Sequence, residues 1–157
     1  MRTTGLKTRS ARLALLALLA ALPLAPAAAG PSGIAVVVAR DSPEAAVDHR
    51  ELALIYRHKK RFWPDGLRVT PVNLPAADAV RRAFSVAILG RSPDELDEYW
   101  RERYFHGELP PYVAGSPEAV IRLVASTPGA IGYVPSCIAD GRVSVLLVID
   151  AEVPCTR

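Results

Sequence analysis

The chain has 157 residues and a mass of 16.9 kDa, enough for one ordinary domain with a modest core. Half of it is apolar, only 6% is aromatic, and 19 basic residues stand against 16 acidic ones. Those proportions exclude a disordered polar chain, a collagen-like repeat, a multi-pass membrane protein and a disulfide-dense mini-domain.

The pI near 9.1 invites a nucleic-acid or membrane-surface partner, but the first residues remove that invitation. Arg2, Lys7, Arg9 and Arg12 precede an unbroken apolar stretch from Leu13 to Leu22, followed by Pro23, Pro26 and Ala27-Ala28-Ala29-Gly30. A basic start, a short apolar middle and a small-residue end form the pattern of a secretory signal peptide, with cleavage expected after Ala29. The apolar stretch is too short for a membrane span, which needs roughly 20 residues. Residues 1–29 carry four bases and no acid, so residues 30–157 hold 15 basic and 16 acidic side chains, a net of −1. No nucleic-acid partner and no membrane span after cleavage are expected of such a chain. Export also bears on Cys137 and Cys155, 18 positions apart. In an oxidising compartment they are candidates for a disulfide, whose loop would contribute about 3 kcal/mol in the chain-entropy account. With no histidine nearby they cannot complete a tetrahedral metal site.

From Ile34 to Ala39 a continuous β-branched run predicts a strand covered on both faces. Asp48 and Glu51 are spaced as a helix cap pair, and Leu52, Ile55 and Tyr56 give that helix an apolar face. The helix is expected to run into Arg57-His58-Lys59-Lys60-Arg61, where cations suit a C-terminal end. Phe62 to Gly66 reads as a packed turn, Leu67 to Val72 as a strand, and Asn73-Leu74-Pro75 as the opening of a loop. A helix follows with Val80, Ala83, Phe84, Ala87 and Ile88 on one face, stopped by Gly90. Ser92-Pro93-Asp94-Glu95 is a strong helix start, and Leu96, Tyr99, Trp100 and Tyr104 form the packing stripe behind it. Ser116-Pro117-Glu118 starts another helix, with Val120, Leu123 and Val124 inward and Pro128-Gly129 at its end. Ala130 to Val134 and Val143 to Ile149 complete the pattern as strands around a turn at Asp140-Gly141. Helices between strands imply an α/β fold with a partly parallel sheet.

The pieces IAVVVARDSP, ELALIYRHKKRFWPDG, VTPVNLP, VRRAFSVAILG and PGAIGYV, in that order, resemble the phosphate-binding family of periplasmic solute-binding proteins. Those proteins serve ABC transporters and have the type II two-lobed α/β fold. The matching pieces cover roughly residues 34–134 and correspond to the second lobe; the first lobe has no counterpart in this chain. The resemblance implies a single three-layer α/β lobe over residues 30–157, with a mixed, mostly parallel sheet and helices on both faces. It also implies a periplasmic or secreted location and phosphate or another small oxyanion as ligand.

In the family, a strand leads into a loop containing Arg and then a Ser-Gly-Thr turn at a helix N-terminus. Free N–H groups, hydroxyls and a guanidinium suit an oxyanion there. Laid against Val72 to Phe84 without a gap, the arginine falls on Asn73 or Leu74, and Ser, Gly and Thr fall on Asp78, Ala79 and Val80. Asp78 would accept from the N–H groups that phosphate needs and would repel an approaching anion, so binding is expected to be weak or lost. The candidate ligand-binding residues are Asn73, Asp78, Arg81 and Arg82, the two arginines being expected on the solvated helix surface. The alternative is an exported interaction module that kept the lobe, lost the ligand and docks onto an envelope protein.

Other constellations carry less. The basic and aromatic run from Arg57 to Trp63 reads as a solvated helix end with Trp63 folded under the domain. His49, His58 and His106 have no metal-ligand spacing. Neither a nucleophile elbow nor a Gly-rich phosphate loop occurs. No catalytic residue, metal or cofactor is assigned, and an enzyme is not expected.

Overall fold

The structure is a computed structural model and describes residues 32–43 and 46–155; the expected signal peptide, residues 1–29, lies outside them. Strand β1, Ser32–Ala39, is central, and Ile34 to Val38 are buried on both faces as the β-branched run requires. Helix α1, His49–Tyr56, starts where the Asp48 carboxylate accepts from the Glu51 N–H at 2.7 Å, and it buries Leu52, Ile55 and Tyr56. It does not run into the basic segment. Lys59 N–H donates to Leu54 C=O at 2.8 Å and His58 N–H to Ile55 C=O at 2.9 Å, a closing turn that puts His58 at φ 56°. The cations from Arg57 onward therefore belong to a turn, because these two bonds already occupy the last helical carbonyls.

Strand β2 is Thr70–Asn73, so Asn73 ends a strand rather than opening a loop. Helix α2, Ala79–Phe84, continues into a π-helical turn, Ser85–Leu89, closed by left-handed Gly90. Its buried side is Val80, Arg81, Phe84, Ser85, Ile88 and Leu89, while Ala87 is exposed. The apolar face is thus rotated toward Arg81 and Ser85, since the larger Leu89 wins burial over Ala87. Helix α3, Pro93–Tyr104, has the expected capping box; Leu96 and Trp100 are buried, but Tyr104 is exposed beyond the end of the packed stripe. Strand β3, Tyr112–Val113, had no periodic signal because it has only two residues. Helix α4, Pro117–Ser126, strand β4, Ala130–Pro135, a 3-10 turn, Ser136–Ile138, and strand β5, Val143–Val153, complete the chain. Cys137 and Cys155 are joined as a disulfide with their Cα atoms 6.2 Å apart, fastening the 3-10 turn to the end of β5.

The strands lie in the order β3-β2-β4-β1-β5. Strand β2 is parallel to β3 and β4, whereas β1 is antiparallel to β4 and β5, so four strands run one way and β1 alone opposes them. The sheet is mixed and covered on both faces. On one face Gly132 leaves room for α4; a Cβ there would come within 2.5 Å of Val120 and 3.0 Å of Val124. On the other, its neighbour Tyr133 stacks on Phe84 of α2 at 3.8 Å and lies 5.7 Å from Tyr56 of α1. No helix among the described residues is long and apolar enough to cross a membrane.

Candidate functional site

A tyrosine hydroxyl inside a core must find partners, and Tyr133 finds them at the end of β2. Its hydroxyl donates to Asn73 Oδ1 at 3.0 Å and accepts from the Leu74 N–H at 3.3 Å and from Arg81 Nη1 at 3.4 Å. Tyr56 donates to Val72 C=O at 3.1 Å. Burial pushes the titration of both phenols above the ordinary tyrosine range, so each keeps its proton and acts as a donor.

Arg81 is only 7% exposed and makes no ion pair among the described residues; its Nε and the Ser85 hydroxyl one turn on are buried without a hydrogen-bond partner. That corrects the expectation of a solvated Arg81. An uncompensated buried guanidinium is costly, and among the described residues this one meets a neutral phenol and no carboxylate. Arg82, one residue on, is exposed as expected and does not join the cluster.

Asp78 caps α2. Its Oδ1 accepts from the Val80 N–H at 2.7 Å and more weakly from the Arg81 N–H at 3.4 Å. The carboxylate therefore sits where an oxyanion at this helix start would sit. Of the four candidates, the fold brings Asn73 and Arg81 together through Tyr133, places Asp78 on the helix end above them, and leaves Arg82 outside. Tyr133 and Ser85 were missed by sequence reasoning. A usable signal existed for Tyr133, a lone polar tip in the buried strand AIGYVP.

The basic segment forms a separate cleft of about 350 Å³ beside Val69 and Thr70, lined by His58, Lys60, Arg61 and Arg68. Much of its charge is answered locally. Lys60 pairs with Glu51, and Glu108 takes Arg61 at 3.0 Å and Arg103 at 3.4 Å. Trp63 is buried and donates from Nε1 to Gly129 C=O at 3.1 Å. Burial first, then the Arg61 and Arg68 cations, lower the pKa of His58. Among the described residues no group of three metal-ligating side chains occurs.

The architecture is a mixed sheet with one opposed strand, helices on both faces, and a polar cluster where β2 meets a helix start. Solved structures show the same fold. A phosphate ABC transporter substrate-binding protein with bound phosphate from Clostridium perfringens matches with a TM-score of 0.63 at 20% identity, over 74% of this chain and 45% of its own. An ABC-type phosphate transport receptor from Vibrio cholerae matches with a TM-score of 0.59 at 17% identity, over 74% and 46%. PstS from Borrelia burgdorferi matches with a TM-score of 0.59 at 14% identity, over 80% and 50%. The chain thus spans about half the length of these proteins, the share expected of one lobe. No family profile matches the chain, and no curated protein does.

Proposed function

We propose that this chain is an exported solute-binding lobe of the phosphate-transport kind in which the anion position is held by its own Asp78. Phosphate or another small oxyanion then binds weakly or not at all. The observation that carries this reading is the Asp78 carboxylate on the Val80 N–H at 2.7 Å, beside an Arg81 whose guanidinium, among the described residues, meets only the Tyr133 hydroxyl. A phosphate would have to displace one anion before using the same donors, and Coulomb repulsion between the two opposes joint occupancy. An open lobe also leaves half of a small ligand in water.

Calorimetric titration with phosphate, sulfate and molybdate, on the unaltered chain and on Asp78→Ser, tests the reading. Serine keeps a cap and removes the charge. Heat in the variant alone is the expected result; micromolar phosphate binding by the unaltered monomer would overturn it. A second reading, a ligand-free interaction module, is supported by Leu109, Tyr112 and Val113, exposed apolar side chains around β3, where Val113 pairs with Asn73. Silence in both titrations supports this second reading over the first.

A further inference from the structure

The 350 Å³ cleft is a second concave site, and it lies at the other end of β2 from the Asn73 cluster. It opens beside Val69 and Thr70, where that strand begins, and Asn73 ends the strand about 10 Å further along. A short hairpin supplies part of its lining. Val69 N–H donates to Arg61 C=O at 2.9 Å and Trp63 N–H to Leu67 C=O at 2.8 Å, which brings Arg61 and Arg68 to the same cleft. His58 and Lys60 reach it from the turn that closes α1. The segment leading into β3 supplies an apolar part: Leu109 and Tyr112 are exposed, and Pro110 and Pro111 between them have no N–H to offer.

The charge of this region stays positive when every acid in it is counted. Segments 58–68 and 101–112 hold six Lys and Arg side chains against Asp65, Glu102 and Glu108. Adding Glu51, which pairs with Lys60 from α1, makes four acids and leaves an excess of two cations. Arg57 belongs elsewhere, since it donates to Leu89 C=O at 2.7 Å, and the acids of the first turns of α3 lie at the far end of that helix. The remainder of residues 30–157 has nine cations and twelve carboxylates. The cleft is thus a positive region on a chain that is otherwise negative. Within it Glu108 is shared by Arg61 and Arg103, while Arg68 is exposed and in no ion pair among the described residues.

The backbone at the cleft is also held against its preference. His58 occupies the left-handed region, an outlier of the kind that gathers at functional sites. Its ring is fixed edge-on to Trp100, 5.2 Å between centroids. The groups that face it are Arg61, Arg68 and Glu108.

We propose that this cleft binds a small organic anion, a carboxylate head on a compact apolar body, with the head on Arg68 and Arg61 and the body against Leu109 to Tyr112. The guanidinium fork suits a carboxylate, and an open Arg68 has no other acid to give up first. A bare inorganic ion would leave the apolar segment unused. The volume lies in the range of small-molecule sites, roughly 300 to 1,000 Å³. The inference does not rest on Asp78, which lies beyond the other end of β2.

Titration of the purified chain with phenylacetate, followed by NMR at the His58 ring and the Arg68 side chain, tests it. Saturable shifts at both are expected. The midpoint of the His58 titration should rise once the ligand is bound, because an anion beside Arg61 and Arg68 offsets the cations that depress it. Arg68→Ala, at an exposed position, should weaken binding about tenfold. Uncharged phenylacetamide and inorganic phosphate should each bind at least about tenfold more weakly than phenylacetate, the first lacking the charge and the second the body. No saturable shift overturns the proposal, and so does binding that Arg68→Ala leaves unchanged. Phosphate or phenylacetamide binding as tightly as phenylacetate overturns it as well. Shifts confined to the Val80 and Arg81 amides do the same, since the anion then sits at the start of α2.

Discussion

Helices α2 and α3 both begin with a side-chain cap, yet the two starts have different surroundings. At α3 the Ser92 hydroxyl accepts from the Glu95 N–H at 3.3 Å, and the Glu95 carboxylate accepts from the Ser92 N–H at 2.7 Å. That box is exposed and closed on itself. At α2 the Asp78 cap stands beside a buried cluster in which Asn73, Leu74 and Arg81 share the Tyr133 hydroxyl. The same local grammar starts one helix in solvent and the other against a buried polar cluster in which Arg81 Nε and the Ser85 hydroxyl lack a partner. What lies beneath a cap, more than the cap itself, decides whether a helix start has chemistry to offer.

The largest difference between the two regions should appear on removing one hydroxyl from each. Tyr133→Phe strips the shared partner from three buried groups and is expected to cost about 2 to 3 kcal/mol in urea denaturation. Tyr99→Phe in α3 removes one long contact, to Arg57 C=O at 3.5 Å, and should cost under about 0.5 kcal/mol. Equal losses would end the comparison.

Next come the caps. Asp78→Ala and Ser92→Ala should each cost about 1 kcal/mol as lost caps. Only the first should depend on whether Tyr133 is intact, which a double-mutant cycle measures. Coupling between Ser92 and Tyr133 of the same size would mean that both starts belong to one network.

The smallest effect concerns acid. Glu95 titrates below the ordinary carboxylate range, held there by the backbone N–H of Ser92 and then by its hydroxyl. Its folded pKa lies below its unfolded one, so its stabilisation is complete above the unfolded value and is lost as pH falls through the folded value. Glu95→Gln should slightly flatten the acid limb of the stability curve. A steeper acid limb in the variant would contradict the sign.

Much of this was legible in the sequence. The helix starts at Asp48, Ser92 and Ser116 are written in local cap spacing, and the buried strand from Ile34 in its unbroken β-branched run. The disposition of Arg81 was not, because counting the helix period from Val80 and Phe84 gives no warning that the buried side includes positions 81, 85 and 89. An arginine inside is decided by tertiary packing, here the π-helical turn and the stacking of Phe84 on Tyr133. The stop of α1 at Tyr56 was hidden for a related reason: His58 occupies a left-handed position where glycine is the usual signal. Strand β3 is too short to carry a period and exists through its pairing with β2.

The central claim, that Asp78 already occupies the helix-start donors, is tested most directly at those donors. Amide resonances of Val80 and Arg81, followed by NMR during phosphate addition, should stay in place in the unaltered chain and move in Asp78→Ser. Saturating shifts of those amides at micromolar phosphate in the unaltered chain would contradict it.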